Sequence, residues 1–200
     1  WLYFDLGSTL IDESLCDRQR ILDTTDGSAY LAEEFDAKLR EYAGRNENYY
    51  TCACRSFGLS TAPWRHDLER LYPGIPELLE HLSKRFSLGI IANQPSGLHE
   101  KLVALQIEKY FSVVVGSGDF GRKKPDLEIF QEALCLAKCL SENALMIGDR
   151  LDHDILPAQM VGMHTVWVRQ GYGRFGNPLL LDAPPDYSID SITELGALLL

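Results

Sequence analysis

Four short stretches carry side chains whose types and spacing could do chemistry. They are Asp5-Leu6-Gly7-Ser8-Thr9, the Asn93 that follows Ile90-Ile91-Ala92, the pair Lys123-Lys124 ahead of Pro125-Asp126, and Gly148-Asp149 with Asp152 and Asp154. Each follows an apolar run of strand length. An ionised Asp directly after a buried strand has lost most of its water, so it needs a partner or a task. Strand ends of an open α/β sheet are where such folds place ligands. Carboxylates from two strands can share one hard cation such as Mg²⁺, which takes oxygen ligands; without a cation they repel one another. A lysine beside them balances both an aspartate and an incoming phosphate. The set suits attack by one carboxylate on phosphorus, giving an aspartyl-phosphate. Each residue also has a plainer explanation: Asp5 in a turn, the lysines in a solvated loop, Asp152 and Asp154 as helix caps. The four stretches in this order favour a shared site.

Several elements must position these residues. Leu2 to Phe4, Leu88 to Ala92, Ser112 to Val115, Ala144 to Ile147 and Thr165 to Val168 read as buried strands, the last being the final clear one. Between them fall helices over Pro76 to Arg85, Leu98 to about Ile107 and His153 to Val161. Another starts at Asp126, with Leu127, Phe130, Leu134 and Ala137 on one face, and Ile192 to Leu200 closes the chain. This alternation predicts an α/β fold, a doubly wound parallel sheet with a Rossmann-like core. Asp12 to about Tyr72 reads differently, as helical with no strand. Tyr30, Leu31, Phe35, Leu39 and Tyr42 recur at helical spacing up to Gly44, and Tyr49 to Phe57 and Trp64 to Leu71 suggest two more helices. The expected organisation is a core of residues 1–12 and 73–200 with a small helical unit, 13–72, inserted.

Composition narrows the function. Two hundred residues suffice for one α/β domain with a small insertion. With 46% hydrophobic and 24% charged residues the chain is ordinary for a globular protein, and its net charge of −10 makes nucleic acid an unfavourable partner. No apolar run reaches membrane-spanning length and no signal peptide is visible, so neither a membrane nor export is expected. Trp1 stands almost inside the first strand, so a few residues, including the initiator Met, are expected to precede it. Five cysteines without framework spacing point to a reducing, cytoplasmic setting. Cys52, Cys54 and His66 could hold zinc, but a fourth ligand is not evident, and buried or bystander thiols are the competing explanation.

The chain resembles the haloacid dehalogenase-like hydrolases over nearly its whole length. That family's Asp-x-Asp-Gly-Thr is matched by Asp5-Leu6-Gly7-Ser8-Thr9. Its apolar strand ending in Ser or Thr and then Asn is matched by Ile90-Ile91-Ala92-Asn93. Its Lys ahead of Pro-Asp is matched by Lys124-Pro125-Asp126, and its Gly-Asp with a further Asp by Gly148-Asp149 and Asp154. Tyr72-Pro73-Gly74-Ile75-Pro76 looks like the segment leaving the family's cap, which the inserted unit would form. The resemblance implies a Mg²⁺-dependent phosphatase acting on a small phosphorylated metabolite. Asp5 would be the nucleophile and a metal ligand, Gly7 would offer a backbone carbonyl to the metal, and Asp149 would be the second carboxylate, with Asp154 beside it as a ligand or orienting Lys124. Lys124 would bridge nucleophile and phosphate, and Thr9 and Asn93 would lie at the phosphate.

Two departures qualify this. Gly7 replaces the family's second aspartate, which protonates the leaving group, and Ala92 replaces a phosphate-binding hydroxyl. General acid–base groups contribute ~10²–10⁴-fold, so reduced or altered activity is expected. Esters with good leaving groups should be favoured unless Asp12 or a cap residue supplies the proton, and Gly7→Asp is expected to raise turnover of alkyl phosphates. Two alternatives stay open: a catalytically lapsed protein that binds a ligand or partner, and a hydrolase of dehalogenase or phosphonatase type.

Overall fold

The computed structural model describes residues 1–200. Strand β1 (Leu2–Phe4) lies in the middle of a six-stranded, wholly parallel sheet. On one side of it run β4 (Leu88–Ala92) and then β5 (Phe111–Gly116). On the other run β6 (Leu145–Gly148), β7 (His164–Val168) and the edge strand β8 (Tyr187–Ile189). Phe4 stands opposite both Ile90 and Ile147, so the strands flanking β1 end level with it. The chain winds outward from β1 through β4 to β5, then returns to β1's other side through β6. Such a reversal opens a crevice beyond the strand ends.

Alternate side chains of the central strands point to opposite faces, and each face has its own cover. Phe4, Ile90 and Ile147 pack with α4 (Ile75–Ser83), α5 (Leu98–Ala104) and α9 (Leu195–Leu199). Tyr3, Ile91, Val113 and Met146 pack with α7 (Leu127–Ala137) and α8 (Leu156–Met160). A single turn, α6 (Ser117–Phe120), follows β5. Helix α7 turns Ile129, Phe130 and Ala133 inward; of the expected face only Phe130 is fully buried, with Leu134 and Ala137 partly buried beside it and Leu127 outside this cluster. Strand β8 escapes a sequence reading because two of its three side chains are exposed, leaving no apolar run.

Residues beyond β1 form a helical insertion of α1 (Ser14–Thr25), α2 (Ala32–Ala43) and α3 (Tyr49–Phe57). Ile21, Phe35, Leu39, Tyr50 and Cys54 make its separate hydrophobic cluster, completed by Tyr172 from beyond β7. The expectation of a helix over Trp64 to Leu71, and of no strand in this region, is corrected. Trp64 Nε1 and His66 Nδ1 both bond Glu69 Oε1, at 2.9 and 2.8 Å, and fix a short 3₁₀ turn at His66–Leu68. The chain then leaves through β3 (Arg70–Leu71), which pairs antiparallel with β2 (Ile11–Asp12). Both chain crossings of the insertion are thus joined as one two-stranded ribbon. Cys54 is buried within the cluster and His66 is held by Glu69, so Cys52, Cys54 and His66 form no common ligand group. No helix is long and apolar enough to cross a membrane.

Candidate active site

Asp5, Asn93 and Asp149 each sit one residue past β1, β4 and β6, three adjacent strands, so the sheet places them side by side. The Asp5 amide still donates to Ile147 O at 2.9 Å, continuing the ladder and fixing the carboxylate at the sheet's rim. Lys124 reaches this point from the loop between α6 and α7. Its backbone amide donates to Asn93 Oδ1 at 2.7 Å, and Asn93 Nδ2 donates to Lys124 O at 2.9 Å. Asn93 therefore spends its side-chain amide on the lysine's backbone. The Lys124–Pro125 peptide is cis.

The Lys124 ammonium is only 2% exposed and lies between two carboxylates, 2.5 Å from Asp5 Oδ1 and 2.6 Å from Asp154 Oδ1. Asp154 belongs to a widened π-helical turn, Leu151–Ile155, in which the amides of Asp154 and Ile155 both donate to Arg150 O. Its second oxygen accepts from the Arg150 amide at 2.9 Å. A side chain at residue 148 would collide with the Asp154 carboxyl at 2.5 Å, so only glycine leaves that carboxyl its place. Asp149 is held more loosely, by Thr9 Oγ1 at 3.4 Å, while its backbone carbonyl accepts from Trp167 Nε1 at 2.8 Å. Thr9 is fully buried and turned to Asp149, away from the cavity. Lys123 is exposed, and Asp152 is engaged by Arg150 and His153, so neither joins the group.

Carboxylate oxygens of Asp5, Asp149 and Asp154 all lie within 4.8 Å of one another, and all three residues are buried. Burial lifts the Asp5 carboxyl to about 6 even though Lys124 opposes the rise. Burial, with repulsion from Asp154 and Asp5, holds Asp149 well above the usual carboxylate range. Burial also disfavours the Lys124 charge, but Asp154 and Asp5 override it and raise the ammonium above the ordinary lysine value. One ammonium among three carboxylates leaves the pocket short of positive charge. An all-oxygen donor set with that deficit fits a hard divalent cation.

These residues line a cavity of about 160 Å³ whose one apolar wall is Tyr49, from α3. Its ring stacks on Tyr172 at 5.0 Å between centroids, and the Arg150 guanidinium lies 4.9 Å from the ring centre. Glu13, at the start of α1, also faces the cavity; burial, with Asp17 adding to it, raises its carboxyl to about 8. Asp12 does not: its carboxylate accepts from the Ser14 amide at 2.9 Å, outside the cavity. Sequence reasoning missed Glu13, Tyr49, Arg150 and His153. The one available signal was for Glu13, a carboxylate eight residues after Asp5 with a turn-forming run between them.

The family model of haloacid dehalogenase-like hydrolases matches residues 58–168. A glyceraldehyde 3-phosphate phosphatase of Methanopyrus kandleri is 32% identical over 87% of this chain and 81% of its own length. A phosphoglycolate phosphatase of Vibrio cholerae is 28% identical over 96% of this chain and 93% of its own. Among solved structures, a HAD phosphatase from Thermococcus onnurineus superposes with a TM-score of 0.64 over 99% of this chain and 96% of its own, at 23% identity, a likeness of fold.

Proposed function

The chain belongs to the haloacid dehalogenase-like hydrolase family, and from that premise we propose that it is a Mg²⁺-dependent phosphatase of small phosphorylated metabolites. The observation that carries this reading is the Lys124 ammonium held between Asp5 and Asp154 beside Asp149. Asp5 is the nucleophile: one carboxylate oxygen attacks phosphorus while the ester oxygen leaves, and water then releases phosphate from the aspartyl-phosphate. Asp5 and Asp149 would hold Mg²⁺ with the Gly7 carbonyl; the ion, when bound, offsets charge on the phosphoryl oxygens. Asp154 has both oxygens committed to Lys124 and Arg150, which suits it to aiming the lysine more than to binding the metal directly. Lys124 would meet the phosphate from the Asp5 side. Thr9 orients Asp149, and Asn93 fixes the lysine loop, so both would act on the phosphate through those partners.

The insertion is the cap. It brings Tyr49 over the cavity, excludes water and limits the substrate to a compact ester. Relatives named as phosphatases of three-carbon and two-carbon phosphates support that size class. The test is a panel of such phosphates assayed with and without Mg²⁺, with Asp5→Asn as the control. Mg²⁺-dependent release of phosphate that Asp5→Asn abolishes is expected; release that survives it would refute Asp5 as nucleophile. Titration calorimetry should show Mg²⁺ binding that Asp149→Ala weakens strongly, and equal binding by that variant would refute the metal assignment.

A further inference from the structure

We propose that Glu13 gives the leaving-group oxygen its proton and later takes one from the attacking water, its carboxyl standing in the space that a side chain at position 7 would occupy. This rests on the phosphatase reading above. A Cβ built on Gly7 would lie 2.6 Å from Glu13 Oε1 and 2.9 Å from both Oε2 and Cδ. Real Cβ atoms essentially never come that close, so a side chain at position 7 would have to push the Glu13 carboxyl aside: with glycine there, that carboxyl fills the space. Glu13 is the N-cap residue of α1, yet its side chain makes no capping bond. It turns back across the joint instead, and Ser8 Oγ donates to its Oε2 at 2.9 Å. Oε1 takes no hydrogen bond from the protein and is free to meet a substrate atom.

Most other cavity groups are committed, His153 keeping only its Nε2 without a protein partner. Asp5 and Asp154 are on Lys124, and Asp149 completes the charge-deficient group. The Arg150 guanidinium is bidentate on Asp152, and His153 Nδ1 lies 2.7 Å from the same carboxylate. Tyr49 is stacked on Tyr172 with the Arg150 guanidinium 4.9 Å from its ring centre. Glu13 alone among the cavity carboxylates is free of that charge-deficient group and has a neutral hydroxyl for its only partner.

The chemistry then balances. As the Asp5 oxygen bonds to phosphorus and the phosphorus–ester oxygen bond breaks, the Glu13 carboxyl passes its proton to that oxygen and the alcohol leaves neutral. The resulting Glu13 carboxylate takes a proton from water as the water oxygen bonds to phosphorus. The bond to Asp5 breaks, and the aspartate, the protonated glutamate and inorganic phosphate are regenerated. An alkyl ester thus becomes a workable substrate despite Gly7. A Gly7→Asp side chain would have to displace the Glu13 carboxyl, so its effect on alkyl esters is read both with and without Glu13.

The experiment measures kcat/KM with Mg²⁺ for p-nitrophenyl phosphate, whose phenolate leaves unaided, and for glycerol 2-phosphate, whose alkoxide does not. The proteins are the wild type, Glu13→Gln, Gly7→Asp and Gly7→Asp/Glu13→Ala. Glu13→Gln should lower glycerol phosphate turnover ~10²–10⁴-fold and leave formation of aspartyl-phosphate from the aryl ester nearly intact. The aryl ester should then show a burst of nitrophenolate, with phosphorylated Asp5 accumulating for mass spectrometry, because breakdown has lost its base. Gly7→Asp/Glu13→Ala should keep alkyl turnover, the new carboxyl standing in the space that Glu13 vacates. Equal losses on both esters in Glu13→Gln, or no loss on either, would overturn the role of Glu13. Failure of the wild type to hydrolyse either ester would overturn the phosphatase reading and this role with it.

Discussion

Lys124 shows how a single residue can determine whether a site exists. It is the one ammonium among three buried carboxylates, and removing one partner of a buried ion pair costs about 3–5 kcal/mol. Lys124→Met should therefore lower unfolding stability by about that amount, measured by denaturant titration. Added Mg²⁺ should restore more stability to this variant than to the wild type, since its carboxylates lack any other cation. Asp17 makes a second residue-scale prediction. Burial lifts its carboxyl from 3.8 to about 7 against the pull of Arg20, and Asp36 and Asp12 add to the rise. A folded value above the unfolded one means stability that is complete below pH 3.8 and is lost as pH rises through about 7. Asp17→Asn should leave the melting temperature unchanged near pH 3 and raise it at pH 8 by about 2–4 °C, the shift brought by about 1 kcal/mol in a chain of this size. The site was partly legible in the sequence. Asp5, Lys124, Asp149 and Asp154 each follow an apolar run that says where the chain emerges. Tyr49 carries no such signal, because only tertiary packing brings α3 over the strand ends.

At the scale of elements, the strands with continuous apolar runs were readable, since a parallel strand buried on both faces has no polar alternation to confuse it. Strands β2 and β3 were not: two residues each, they exist only through pairing with one another. Helix α1 was equally hidden, since its buried residues are only Cys16, Ile21, Thr24 and Thr25, too few for an amphipathic stripe. The insertion nevertheless has its own core, with Phe35 fully buried at its centre. Phe35→Ala should cost about 3–5 kcal/mol. Hydrogen exchange should show where: protection should fall across α1, α2 and α3 while β1, β4 and β6 keep theirs. Uniform loss across both regions would mean the insertion and sheet unfold as one unit.

Over the whole molecule, several polar contacts fasten the insertion to the sheet domain, among them the Lys101–Glu69 ion pair at 2.7 Å and the Ser8–Glu13 bond. The Tyr172 hydroxyl donates to Asp36, Asn46 and Asn177 exchange two hydrogen bonds of 2.9 Å, and Arg150 donates to Glu47 O at 3.3 Å. Asn46→Ala should remove two of these at once and speed exchange of the residue 177 amide, with the strand amides unchanged. The ribbon of β2 and β3 carries both chain crossings, and Glu13 is the first residue past it. Position 7 lies on the sheet's side of that ribbon, whereas the carboxyl occupying its space is carried by the insertion. A swing of the insertion about the ribbon would carry the proposed proton donor away from Asp5 while leaving Asp5 and Lys124 behind. On the role proposed for Glu13, this would make an interlock: swung open, the protein could be phosphorylated by activated esters but would lack the means to discharge an alcohol, and seating of the insertion would restore that capacity.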